Sequence, residues 1–249
     1  MISIRNLSKT FHAGQADEVK ALKNLTLDIQ AGEFVIIIGS NGSGKSTLFN
    51  LLFGSLFPDT GSISIAGNDL TALPDYRRSR WISMVFQNPG NGTAPNLSLL
   101  ENFRLAALRT SKKRMITGID AAFRRQVAEK VKELGMGLEK KLDTPMGSLS
   151  GGQRQALTLL MAVMDKPGIL LMDEPTAALD PKSAEMIMEL AADINRRMGV
   201  SILLVTHSMK QALQYGNRLL LFREGNLVKD LNREEKQKLE PAELYGWFS

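Results

Sequence analysis

Nine consecutive residues, Gly39-Ser40-Asn41-Gly42-Ser43-Gly44-Lys45-Ser46-Thr47, constrain this chain more than any other feature. They fit the pattern G-x-x-x-x-G-K-[ST] and join an apolar run, Phe34–Ile38, to a helical pattern, Ser46–Phe53. Glycines let successive backbone N–H groups turn inward, and the start of a helix adds positive potential, so a strand–loop–helix of this kind wraps phosphate. Lys45 is placed to reach β- and γ-phosphates, and the Ser46 hydroxyl to ligate Mg²⁺. Chance produces the same spacing in about one chain in a hundred of this length, and the correct flanking elements make it rarer still. A nucleoside triphosphate with Mg²⁺ is the expected ligand.

Three more short apolar runs, Ile169–Met172, Ile202–Val205 and Leu219–Phe222, predict strands buried on both faces, as in a parallel sheet. Helical patterns at Ser150–Met164, Lys182–Met198 and Met209–Tyr215 alternate with them, which gives an α/β fold with a layered parallel-sheet core of the P-loop NTPase, RecA-like kind. Met1–Leu7, Leu25–Ile29 and Ser62–Ala66 instead alternate apolar with polar residues, the pattern of half-buried antiparallel strands. From Asn88 a Pro/Gly/Asn-rich loop leads into helices at Leu97–Leu108 and Asp120–Leu134, separated by a basic turn at Lys112-Lys113-Arg114. The expected organisation is one domain over 1–249. Its core covers about 1–87 and 165–249, and a helical subdomain is inserted at about 88–164.

Composition narrows the function classes. With no cysteine among 249 residues, disulfide scaffolds, thiolate metal sites and cysteine nucleophiles are excluded. The longest near-apolar stretch, Ala156–Met164, falls far short of the ~20 residues that a bilayer demands. The N-terminus lacks the pattern of a secretion signal. A net charge of +5 is small enough to belong to a solvated surface, and no nucleic-acid partner is expected from it.

Asp173 and Glu174 close the apolar run Ile169–Met172. Ligands of open α/β sheets bind outside the carboxyl ends of strands, so Asp173 is the expected Mg²⁺ partner. Strand alternation turns Glu174 elsewhere and leaves it to polarise an attacking water.

Leu149-Ser150-Gly151-Gly152-Gln153 stands before the helix Arg154–Met164, with Ser150 as N-cap. These five residues arise by chance in on the order of one chain in a few thousand. Here the sequence resembles the ATP-binding cassette ATPases, whose signature motif reads LSGGQ, and the likeness runs over nearly the whole chain. The resemblance implies that Gln87, after a strand at Trp81–Phe86, is the Q-loop glutamine that contacts Mg²⁺ and water. Ala178-Leu179-Asp180 matches the D-loop, without its usual serine, and His207 matches the switch histidine at the γ-phosphate. Phe11 falls where the family sets an aromatic ring, more often tyrosine, against adenine.

The family architecture implies two chains paired head to tail, as a homodimer or with a similar cassette. Ser150, Gly151, Gly152 and Gln153 of one would face ATP held at Gly39–Thr47 of the other, with Asp180 at the interface. A single set of motifs argues against two-cassette translation factors. The interval between Gly44 and Gly151 has no room for the coiled coil of chromosome and repair ATPases. The resemblance therefore implies an ATPase at the cytoplasmic face of a membrane, driving a separate permease. Small-molecule import with an extracytoplasmic solute-binding protein is expected first. Extraction or export of lipid, peptide or drug comes second.

Overall fold

The computed structural model describes residues 1–109 and 118–247; the basic turn expected at Lys112–Arg114 lies outside them. The chain opens with two long antiparallel strands, β1 (Ile2–Phe11) and β2 (Val19–Ile29). It then forms β3 (Phe34–Gly39), the loop, and α1 (Lys45–Phe53). β4 (Thr60–Ile65) returns beside β1 and pairs with the two-residue β5 (Asn68–Asp69), giving an antiparallel sheet in the order β2-β1-β4-β5. After the single turn α2 (Asp75–Arg78) come β6 (Ile82–Val85) and the helices α3 (Leu99–Ala107), α4 (Ala121–Lys132) and α5 (Gly151–Ala162). The remainder runs β7 (Ile169–Asp173), α6 (Pro181–Met198), β8 (Ser201–Val205), α7 (Met209–Gln214), β9 (Arg218–Arg223), β10 (Asn226–Leu231), α8 (Arg233–Gln237) and α9 (Pro241–Gly246).

The second sheet has the order β10-β9-β3-β8-β7-β6, parallel from β9 to β6 with β10 antiparallel at one edge. Its parallel strands are apolar because both faces are covered. Val35 and Ile37 face α1 and the antiparallel sheet, whereas Phe34, Ile36 and Ile38 face α5, α6 and α7. A third core joins Phe103, Val127, Val131 and Leu157 between α3, α4 and α5. Helix α5 serves two cores at once, with Ala156 and Leu159 toward the sheet and Leu157 and Leu160 toward α3 and α4.

Local rules place the helices. Asp180 caps α6, Pro181 occupies its first turn, and Gly199 ends it in the left-handed region; Ile187, Met188, Ala191 and Ile194 form its buried stripe. Ser98 and Glu101 form a capping box that starts α3 at Leu99, two residues later than the apolar pattern suggests. At the other end of α1 the fully buried Arg78 guanidinium donates to the carbonyls of Leu51 and Leu52, and to Leu73 O at 2.6 Å and Thr71 O at 3.1 Å. A cation there complements the negative end of the helix.

Candidate functional site

The strand order brings four chain segments to one edge. β3, β8, β7 and β6 are consecutive neighbours, so the 39–47 loop, His207, Asp173–Glu174 and Gln87 all leave the sheet at its carboxyl end. Gly39 (φ 153°) has no room for a Cβ against the Phe222 carbonyl, and Gly44 (φ 104°) has none against the Ala21 carbonyl of β2. The loop is thus clamped between β2 and β9, and only glycine fits at those two points.

Gly44 is the N-cap of α1 and supplies no side-chain acceptor, so the first N–H groups of this helix have no cap. Among the described residues, α3, α4, α5 and α6 all carry a side-chain cap. An anion is the group this end lacks, and phosphate fits. Lys45, 5% exposed, donates to Gly39 O and Ser40 O, each at 2.8 Å, and to Ser43 Oγ at 3.4 Å. Burial holds its pKa below the usual lysine value, against the opposing pull of Glu174 and Asp173. Ser46, by contrast, is exposed.

Asp173 is the last residue of β7 and pairs in register with Val205. Burial pushes its carboxyl above the ordinary range, and the charge of Glu174 adds to this, while Lys45 and His207 act the other way. A cation beside it would relieve that penalty. Glu174 does not continue the strand, so its direction is not set by alternation as expected. Its backbone is left-handed at φ 45°, its N–H donates to Val205 O at 3.0 Å, and its Oε1 lies 2.9 Å from His207 Nε2. For an ionised Glu174, Nε2 carries the shared hydrogen. No group of three or more His, Cys, Asp or Glu forms a metal cage among the described residues. A Mg²⁺ ion fits such a site, since it takes one or two protein oxygens and completes its shell with phosphate and water.

The sequence did not announce Gln211 of α7. Its Oε1 accepts from Thr206 Oγ1 at 2.8 Å and its Nε2 donates to Thr176 Oγ1 at 2.9 Å, which ties the chain before His207 to the chain after Glu174. Gln87 follows β6 and is exposed. Phe11 ends β1 opposite Val19, half-buried, with Lys9 Nζ 5.9 Å from its ring centre.

A separate cluster surrounds the start of α5. The Gln153 N–H donates to Ser150 Oγ at 3.3 Å, and the Ser150 N–H donates to Gln153 Oε1 at 3.2 Å. Gly151 is exposed, but a Cβ on Gly152 would come 2.6 Å from Ser183 Oγ of α6. Asp180 accepts from Ser183 N at 3.0 Å and Lys182 N at 3.1 Å, and the Ser183 contacts hold its carboxyl below the ordinary range. No hydrogen bond joins Ser150 or Gln153 to the 39–47 loop among the described residues.

Known proteins resemble this chain in sequence and in fold. The family model described as ABC transporter matches residues 22–177. A tyrosine transport ATP-binding protein of Clostridioides difficile is 39% identical over 251 residues, covering 100% of this chain and 98% of that one. The lipoprotein-releasing system ATP-binding protein LolD 1 of Caulobacter vibrioides is 32% identical, covering 93% and 96%. A dimeric ATP-binding cassette in a post-hydrolysis state, bound to ADP and Pi, superposes with a TM-score of 0.79 at 31% identity, covering 94% of this chain and 99% of that one. The chain thus belongs to the ABC transporter family, as an ATP-binding subunit whose hydrolysis of ATP drives transport.

Proposed function

We propose that the 39–47 loop holds the phosphates of ATP and that Glu174 is the general base for its hydrolysis. The carrying observation is the arrangement of Asp173, Glu174 and His207 at adjacent strand ends, with Glu174 and His207 2.9 Å apart. Lys45 presents its ammonium to the β- and γ-phosphates, and the free N–H groups at the start of α1 orient them. Ser46, Asp173 and Gln87 would hold Mg²⁺, which neutralises charge on the phosphates when bound. Glu174 takes the proton of the attacking water, while His207 holds its carboxylate in place and stands ready for the γ-phosphate. Phe11 packs against adenine. Ser150, Gly151, Gly152 and Gln153 serve the nucleotide of a second chain, with Asp180 between them, in a homodimer or a pair with a similar cassette. The dimeric relative supports that pairing.

A groove of about 470 Å³ beside Gln87, lined by Phe86, Asn91, Thr93, Leu105 and Arg109, takes the permease. No helix of the described residues is long and apolar enough to cross a membrane. The proposed place of this subunit is the cytoplasmic face, held there by its permease. Small-molecule import, with an extracytoplasmic solute-binding protein, is the first reading. The 39% identity to a tyrosine transport protein supports a small-molecule cargo, and the 36% identity to a methionine import subunit of Acinetobacter baylyi supports import. Extraction from the membrane is the second, favoured by the 32% identity to a lipoprotein-releasing subunit. Glu174→Gln tests the site. It is expected to bind ATP, accumulate an ATP-bound dimer and lose turnover by about 10²- to 10⁴-fold, the range of general-base removal. Wild-type steady-state hydrolysis by this variant would exclude Glu174 as the base.

A further inference from the structure

Gln155 sits in the second turn of α5, five residues beyond Ser150, and is 0% exposed. Its side-chain amide donates to two carbonyls far away in sequence, Phe86 O at 3.1 Å and Pro175 O at 2.9 Å. Phe86 directly precedes Gln87, and Pro175 directly follows Glu174. Both partners are acceptors, so chemistry fixes the amide orientation: only the NH₂ end can serve them. Oε1 is then buried without a donor. A position that needed only volume would be served by Leu or Met, which leave no such orphan.

Glu174 requires ties of this kind. A left-handed backbone is strained for a residue with a Cβ and persists only where its surroundings over-determine it. Gln211 holds the following Thr176 from one side, and Gln155 holds the intervening Pro175 from the other. The two glutamines differ in reach. Gln211 links only the Glu174 and His207 segments, whereas Gln155 links the Glu174 and Gln87 segments to the helix that begins with Ser150–Gln153. That helix also carries one face of the α3–α4 core, so whatever moves the helical layer moves Gln155.

We infer that Gln155 is a positioning residue: its amide sets the backbone of Gln87 and of Glu174 together, and so couples the placement of α5 to the hydrolytic site. The inference rests on the reading of Glu174 as base and Gln87 as a water or cation contact.

The test uses the full chain carrying Gln155→Met, which preserves volume, beside Gln211→Met and Glu174→Gln. For Gln155→Met, KM for ATP and affinity for a fluorescent ATP analogue are expected to stay within about two-fold of wild type. Its kcat falls about 10- to 100-fold, the cost of a small misplacement of reacting groups. Amide hydrogen exchange rises at both 86–88 and 174–177 in Gln155→Met, but only at 174–177 and 206–208 in Gln211→Met. A kcat within two-fold of wild type, a KM that changes in step with kcat, or faster exchange at only one of the two segments overturns the inference. Should Gln155→Met melt below the assay temperature, the same readings on Gln155→Asn decide, since asparagine is too short to span both carbonyls. Full turnover by Glu174→Gln overturns the site reading itself. An inactive Glu174→Gln beside a fully active Gln155→Met overturns only the positioning role.

Discussion

The starts of α1 and α5 are both glycine-bearing helix N-termini, yet they are finished in opposite ways. α1 begins at Gly44 with no side-chain acceptor, and its far end is neutralised by the buried Arg78. α5 begins with a complete Ser150–Gln153 capping box and packs closely against Ser183. The first end leaves its N–H groups without a side-chain acceptor; the second closes on its own Ser150 and Gln153 N–H groups. On the proposed reading the chain carries two unlike half-sites, one that binds nucleotide in the single chain and one that engages a nucleotide brought by a second chain.

Removing the cation at the open end is the harshest way to probe this contrast. Lys45→Ala is expected to abolish detectable ATP binding in a filter or fluorescence assay, and hydrolysis with it. Retained binding would mean that the helix end and loop suffice without the ammonium. Second in size is a change at the closed end that leaves the fold alone. Aspartate caps helices as well as serine does, so Ser150→Asp should melt within about 0.5 kcal/mol of wild type. It also places a carboxylate where a partner's phosphates would approach. The expected result is normal ATP binding by the monomer, no ATP-dependent dimer in size-exclusion chromatography, and hydrolysis reduced at least about 100-fold, a loss comparable to that of one transition-state donor. If ATP binding fell instead, the two ends would belong to one site.

Asp173→Asn separates stability from function at the open end. Burial and Glu174 penalise the ionised Asp173 carboxylate, so a neutral amide of the same shape should raise the melting temperature of the nucleotide-free chain. Turnover with Mg²⁺ and ATP should fall all the same, because on the proposed reading the cation loses its carboxylate. An unchanged or lower melting temperature would show that the carboxylate is held by contacts that outweigh burial.

The open end was far more legible in the sequence than its surroundings. The loop, the runs at 34–38, 169–172, 202–205 and 219–222, and the cap at Ser150 are local signals, and the sheet and helices follow them within a residue or two. β1 and β2 run longer than their apolar alternation, because pairing through bulges keeps the polar Ser8-Lys9-Thr10 extended. β10 was invisible, since an edge strand with mostly exposed residues carries no apolar pattern. The left-handed Glu174 and the bridging Gln155 and Gln211 were equally hidden. Each depends on partners that only the tertiary fold supplies, and a buried glutamine reads in sequence as one polar interruption of a helical stripe.

A third helix end, the C-terminus of α7, gives the smallest and most controlled comparison. Here a carbonyl end is closed by a cation: Lys236 of α8 donates to Tyr215 O, and to Gly216 O at 2.9 Å. Burial pushes the Lys236 ammonium down to about 8 from an ordinary 10.5. The unfolded chain therefore binds more protons than the folded one between those values, and the contribution of Lys236 to stability rises as pH climbs from about 8 to about 10. The neighbouring Tyr215 hydroxyl, pushed up to about 12 from an ordinary 10 by burial and Glu189, lowers stability as pH nears 10, the opposite sign. It is also common to wild type and Lys236→Met, so it cannot mimic the effect. Urea melts of wild type and Lys236→Met should thus diverge in favour of wild type with increasing pH, and the difference should flatten below about 8. Parallel pH profiles would mean that Lys236 keeps an ordinary pKa, and that the cap at α7 is a solvated contact rather than a buried one. Hydrolysis is expected to change little in this variant, because the tie between α7 and His207 runs through Gln211 and Thr206 at the opposite end of the helix.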